Sequence, residues 1–290
     1  LIPYKYYLYN RERPYNILDS QKRSIMKKAK ICLSFDDARK DNYTVVYPML
    51  KKYGLCATLN VTTGFVMREP EAMNAAKGYE PMTKENVIEL YQSGVFEIGA
   101  HGHFHKNTQE DIKKGVEILT EWLGEDWRNN GIGFASPYDA IGEDRFNAER
   151  DFFENTNIVY VRGNRYLRDF WHRLQNKILE VVVKDKEKFA YWCAKLCMQS
   201  PKKRSFFRSV GTNIDTSVEL WKSIIDKAAH DGKTCIFMIH SVLTPEDAMY
   251  GARHSYEAGK FETICQYLRK LVDEGKIEVK TNMEIFKDGE

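Results

Sequence analysis

Short apolar runs alternate with amphipathic segments along almost the whole of this 290-residue chain. The runs are 29–35, Cys56–Val61, Phe96–Ala100, Gly131–Ala135, Ile158–Val161, Cys235–Ile239 and Ile277–Lys280. Each has strand length, and helical periodicity fills most of the gaps: Asn42–Lys52, Thr83–Ser93, 109–123, Arg145–Phe153, Val218–His230 and Glu257–Glu274. In 109–123, for example, Ile112, Val116, Leu119 and Leu123 share one face. Pro48 sits inside the first helix and is placed to kink it. Parallel strands need crossover connections, so alternation sustained to the C-terminus implies an α/β fold with a parallel sheet. The length suits a barrel.

Polar clusters fall where these strands end. Ser34-Phe35-Asp36-Asp37-Ala38 follows the first run, His101-Gly102-His103-Phe104-His105 the third, Ser136-Pro137-Tyr138-Asp139 the fourth, and His240 the run 235–239. In a parallel barrel the C-terminal strand ends share one face, which is where such folds carry chemistry. Adjacent carboxylates raise one another's pKa, a cost that a bound cation removes. A bare helix N-cap is the bland reading of Asp36-Asp37. Three of the chain's seven histidines lie within five residues, which is hard to assign to packing. On a helical turn His101 and His105 would lie on one side and His103 on the other. Two neutral imidazoles with a carboxylate make a borderline-soft cation site of the kind Zn²⁺ occupies. His240 reads equally as a core histidine or, by its position on the metal face, as a general acid.

Composition narrows the partners. Lys and Arg number 44 against 41 Asp and Glu, and a formal charge of +3 gives no argument for nucleic acid or an anionic membrane. No stretch approaches ~20 apolar residues, so no membrane span is expected. The 17 tyrosines and 5 tryptophans exceed what a core needs and are the kind of surplus that lines sugar-binding surfaces. The six cysteines neither demand nor exclude disulfides; Cys32, Cys56 and Cys235 read as small core residues. Residues 1–28 read as an N-terminal arm and 29–285 as one domain. Within it, about 165–210 reads as an insertion carrying Trp171, Trp192 and the basic Lys202-Lys203-Arg204. The first residue is Leu1, which is compatible with a leader or anchor having been removed and leaves the compartment open.

Taken together, Ser-Phe-Asp-Asp-Ala at 34–38, His-x-x-x-His at 101–105, Pro137-Tyr138 and Phe237-Met238-Ile239-His240, in that order, resemble the motifs of the NodB-type polysaccharide deacetylases, carbohydrate esterase family 4. The resemblance spans about 28–285 and implies an irregular (β/α) barrel of about seven parallel strands. It implies that Asp37, His101 and His105 bind a divalent metal, Zn²⁺ first and Co²⁺ or Ni²⁺ as substitutes. Asp36 would then be the general base for an activated water, the Tyr138 backbone N–H an oxyanion donor and His240 the general acid. The expected substrate is an acetylated carbohydrate: a chitin-like oligomer, peptidoglycan glycan, another exopolysaccharide or O-acetyl xylan. A secreted or cell-envelope setting is favoured by the resemblance, with the cytoplasm still open.

The chain departs from the family pattern in three places that bear on chemistry, one of them the stretch Tyr160-Val161-Arg162-Gly163-Asn164, which lacks the Asp that family members often use to orient the histidine acid. Gly102 stands where the family usually has Ser or Thr, and Ala135 where it has an Arg that pairs with the catalytic Asp. Arg162, on the next strand, is expected to supply the missing guanidinium and hold Asp36 ionised; a peripheral salt bridge is the competing reading. Asp139 is read as shaping the substrate groove or capping a helix, and His103 receives no role. Two rivals follow: a barrel that binds carbohydrate without turnover, and a hydrolase of a non-sugar amide C–N bond.

Overall fold

The computed structural model describes residues 28–163, 186–200 and 204–289. The expected arm, apart from its last residue, and residues 165–185 and 201–203 of the expected insertion lie outside them. The strands are β1 (Ala29–Asp36), β2 (Ala57–Val61), β3 (Phe96–Ala100), β4 (Ile132–Ala135), β5 (Ile158–Arg162), β6 (Phe206–Phe207), β7 (Val210–Gly211), β8 (Thr234–Ile239), β9 (Ser241–Leu243), β10 (Ser255–Glu257) and β11 (Ile277–Val279). All pairings in the main sheet are parallel, in the order β6-β5-β4-β3-β2-β1-β8-β7, with β11 also on β1.

The two edges of that order are one piece of chain. β6 pairs Phe206 and Phe207 with Val161 and Arg162, and after Arg208-Ser209 β7 pairs Val210 and Gly211 with Phe237 and Met238. A single bent strand therefore joins β5 to β8 and closes the sheet on itself. Counting it once, and leaving β11 aside, the circuit is a seven-stranded barrel, as the alternation and the resemblance led one to expect. The segment read as an insertion thus ends in a barrel strand, and its helix Lys186–Cys197 packs on the helix Val218–Asp231. Phe206-Phe207 and Val210-Gly211 are too short to show the periodicity by which longer strands announce themselves.

Alternation along each strand sorts the residues by layer. In β1, Ile31, Leu33 and Phe35 join the large core under the helices. Cys32 falls instead in a small cluster with Tyr160, Phe207, Ile236 and Ile285. Ser34 and Asp36, at the same alternation, reach Asn60. The Tyr160 hydroxyl lies where a Cβ on residue 133 would sit, so only glycine fits at Gly133. The helices follow the sequence closely. Thr83 caps Lys84–Gln92 in a reciprocal box with Asn86, and Thr108 caps Gln109–Leu123. Pro48 has no N–H to give the preceding turn, and Asn42–Val46 winds as a π-turn before the α-helix Tyr47–Tyr53. The expected helix Arg145–Phe153 is two short ones, Glu143–Ala148 and Arg150–Asn155. All six cysteines are free thiols.

Candidate active site

β1 delivers two carboxylates to the barrel mouth and the backbone then separates them. Asp36 still lies on the strand, whereas Asp37 and Ala38 take φ of 79° and 58° and turn the chain sharply. Asp36 accepts from Arg162 Nη2 at 2.6 Å on both oxygens and from Asn60 Nδ2 at 2.8 Å on Oδ1. The guanidinium comes from the residue that pairs in register with Ala135 across β4 and β5, and it is fully buried. Its Nη1 donates to Ser209 Oγ at 3.0 Å and lies 3.8 Å from Asp139 Oδ1. Burial alone would raise the Asp36 carboxyl; Arg162, and then His101 and His240, outweigh it and hold the group below its ordinary range.

Asp37 is treated differently. Its Oδ2 accepts from Arg39 Nη2 at 2.7 Å and Nε at 3.1 Å, while Oδ1 is buried with no hydrogen-bond partner. That oxygen lies 3.6 Å from His101 Nε2 and 3.4 Å from His105 Nε2, and the two nitrogens are 3.2 Å apart. His101 Nδ1 is 2.8 Å from the Ala135 carbonyl, a pure acceptor, so Nδ1 carries a proton and donates it there, which leaves Nε2 facing Asp37. Burial, then His101, lowers His105 to about 4, against the pull of Asp37 and Asp36, so His105 is neutral at neutral pH. Burial likewise raises Asp37, but Arg39 and then the surrounding histidines hold it well below the carboxylate range.

A buried carboxylate oxygen without a hydrogen-bond partner, facing two imidazole nitrogens, is unfavourable unless a cation fills the gap. Metal–ligand bonds of about 2.0–2.1 Å in a tetrahedron place donors about 3.3 Å apart, which the three observed separations match. The O,N,N donor set can hold a divalent cation, and the trio is the group of metal-ligating type found among the described residues.

The histidines do not sit on a helical turn. Residues 101–105 form a loop, with Gly102 at φ 77° and His105 at φ 59°, conformations no α-helix contains. Asp111, from the helix Gln109–Leu123, gathers the loop: it accepts from the backbone N–H of His103 (3.2 Å), Phe104 (2.6 Å) and Lys106 (3.0 Å). A Cβ on residue 102 would collide with Asp111 Oδ2. The glycine and the aspartate thus fit together to hold this loop. His103 does face away, as expected. Its Nδ1 lies 2.8 Å from Thr63 Oγ1, and its Nε2 is 3.0 Å from Glu69 Oε2, close but out of hydrogen-bond alignment.

A cavity of about 280 Å³ opens over this cluster, lined among others by Asp36, Asp37, His101, His105, Tyr138 and His240. Tyr138, at φ 57°, puts its ring centroid 4.5 Å from that of His105, and Asn107 fixes the turn by donating to the Pro137 carbonyl at 2.9 Å. His240 ends β8; burial lowers it to about 4, with Asp37 and Asp36 pulling upward. Every residue named from the sequence as a site candidate is therefore at this cavity or, for Arg162, in contact with Asp36 behind it.

Residues 23–152 match the family model for polysaccharide deacetylases. Over that stretch the chain is similar to the polysaccharide deacetylases, in line with the motifs at 34–38 and 101–105. The poly-beta-1,6-N-acetyl-D-glucosamine N-deacetylase of Staphylococcus aureus is 25% identical over 137 residues, 43% of this chain and 46% of that protein. The protein of the same name from Staphylococcus epidermidis is 23% identical over 133 residues, 42% of this chain and 44% of that one. The chain thus matches less than half the length of these curated relatives. Among solved structures, a family 4 acetyl xylan esterase from Clostridium thermocellum is 16% identical, with a TM-score of 0.46, covering 89% of this chain and 90% of that one.

Sequence reasoning missed three residues of this site. Arg39 directly follows the Asp-Asp motif but reads as a helix entry; it also donates to Ser241 Oγ at 3.0 Å and stacks 3.6 Å over the Tyr79 ring. Asn60 lies inside an apolar strand, and a polar residue there was the available signal. Asp111 follows its cap Thr108 by three residues and looks like ordinary first-turn acid.

Proposed function

We propose that this protein is a metal-dependent hydrolase that removes acetyl groups from an acetylated carbohydrate, an N-acetylated amino sugar first among them. The observation that carries this reading is the orphaned Asp37 Oδ1 facing two imidazole nitrogens beside a second, ionised carboxylate. Asp37, His101 and His105 would hold the cation, zinc in our assignment with cobalt or nickel as substitutes. When bound, it supplies Lewis acidity that polarises the acetyl carbonyl and acidifies water.

Asp36 accepts the proton of the attacking water, and Arg162 and Asn60 fix its orientation. The acetyl carbon becomes tetrahedral, and the Tyr138 backbone N–H is assigned to its oxygen. His240 is neutral at rest. Negative charge building on that oxygen adds to the upward pull of Asp36 and Asp37, so His240 takes up a proton and passes it to the leaving nitrogen. The C–N bond breaks, acetate and a free amine leave, and Asp36 returns its proton to solvent. The Asp36–Arg162 pair favours a catalyst over a mere binder, because a binder has no use for an oriented carboxylate that is not a ligand.

The test is acetate release from N-acetylglucosamine oligomers and acetylated xylan, with zinc or cobalt, for wild type and Asp36→Ala. Release that needs both metal and Asp36 is expected. Metal bound stoichiometrically, glycan retained and no acetate from any of them would replace this reading with the binding one.

A further inference from the structure

The charges around the cavity do not balance locally. Asp36 is neutralised by Arg162 and Asp37 by Arg39, and Asp139 lies 3.8 Å from Arg162. Two further cations line the same cavity, Lys77 and Arg253. They come from unrelated segments: Lys77 terminates the helix Pro70–Ala76 in a left-handed conformation, and Arg253 lies on the approach to β10. Neither forms an ion pair with a described residue, and both side chains are exposed. Their fields meet on His254, also in the cavity wall. Its imidazole is held below the ordinary range by burial first, then by Arg39, Lys77 and Arg253. Lys77 at a helix C-terminus has a structural use against the helix dipole. Arg253 has none, and a neutral sugar gives neither cation a partner.

We propose that Lys77 and Arg253 recognise an anionic substituent, a carboxylate or a phosphate, on the acetylated sugar or its immediate neighbour. The cavity, at about 280 Å³, is at the small end for ligand sites, so the anion must lie close to the acetyl group. Guanidinium and ammonium groups suit both oxyanions, the first by paired hydrogen bonds and the second as a point charge. A divalent cation bound by the Asp-His-His trio would make the mouth more positive still. This inference rests on the deacetylase reading above and adds to it a substrate class.

The metal-replete protein is assayed on three length-matched N-acetylhexosamine disaccharides: unsubstituted, bearing a lactyl carboxylate, and bearing a 6-phosphate. The readout is kcat/KM relative to the unsubstituted sugar, for wild type and for the double variant Lys77→Met with Arg253→Gln. We expect the better anionic substrate to be favoured by about five- to tenfold, and the ratio to fall toward one in the double variant and in high salt. The larger of the two anionic ratios identifies the group recognised. Equal kcat/KM on neutral and anionic sugars overturns the inference and leaves the deacetylase intact. If no sugar releases acetate, calorimetry on the same set decides separately. Preferential binding of an anionic sugar that the double variant loses sustains the cationic rim, and indifference to charge removes it.

Discussion

The two ends of the barrel both bury a carboxylate, and they use it in opposite ways. At the N-terminal end Glu97 is saturated. Its Oε1 accepts from the Tyr160 hydroxyl, and its Oε2 from Thr58 Oγ1 and the Met283 N–H, each at 2.8 Å. Burial still raises its pKa, against all three donors. Those contacts seat the C-terminal helix Asn282–Lys287 under the barrel. At the C-terminal end Asp37 is fastened by one oxygen, and its other oxygen is left without a partner. Saturated polar groups hold a structure together, whereas a buried unsaturated one is tolerated where a ligand completes it. The difference marks one end as a plug and the other as a site.

The largest effect that would break this contrast is on metal. Asp37→Asn keeps the shape and an acceptor for Arg39 but removes the ligand charge. Metal affinity should fall by about 100-fold and acetate release by about 10³-fold, read by metal titration and initial rates. Unchanged metal binding would show that the free oxygen is not reserved for a cation.

Next in size is Arg162→Ala, which leaves Asp36 buried and unpaired at a cost of about 3–5 kcal/mol in denaturant unfolding, with activity down about 100-fold. Because Ala135 and Arg162 are register partners, adding Ala135→Arg should restore part of both losses. A double variant no better than the single one would mean that the guanidinium's strand of origin matters, not only its charge.

Glu97→Ala tests the other end. Tyr160, Thr58 and Met283 lose their acceptor, and stability should drop by about 2–3 kcal/mol while kcat and metal content of the folded protein stay unchanged. A collapse in kcat at full metal occupancy would unite the two ends into one functional column.

The smallest effect concerns Asp41, beside the mouth but outside the metal trio. Burial lifts its carboxyl to about 6, against the Val242 N–H and Arg39. A folded value above the unfolded one means that the native state holds a proton the unfolded chain has already released. This contribution is therefore full below about pH 4 and lost as pH rises through about 6. Asp41→Asn should flatten that slope and gain about 1–2 kcal/mol at pH 7, measured by unfolding at several pH values. An unchanged slope would assign the titration elsewhere.

Much of this was legible in the sequence, for physical reasons. Long strands and helices write their periods into the chain, so β3 and the helix Gln109–Leu123 are found with their bounds intact. Motif residues stand out because carboxylates and imidazoles crowd where strands end. The compensation of Ala135 by Arg162 was readable since both sit at C-terminal strand ends. The bent closing strand was not, because two residues carry no period. Nor was the histidine loop: a His-x-x-x-His spacing fits a helical turn until the positive φ of Gly102 and the reach of Asp111 are known. Arg39 and Asp111 act by geometry across the fold, which no local pattern records.

The break in the closing strand has a consequence for timing. Each half is held to its neighbour by two residue pairs, whereas β1 and β8 share six. In that break sits Ser209, the residue on which Arg162 Nη1 rests. A newly made chain therefore cannot complete the Asp36–Arg162–Ser209 contacts until residues well beyond β5 have arrived and been strapped across. Any transient loosening would begin at this same short strap. An unfinished barrel lacks this arrangement around Asp36, and a fully ordered mouth becomes a report that the circle has closed.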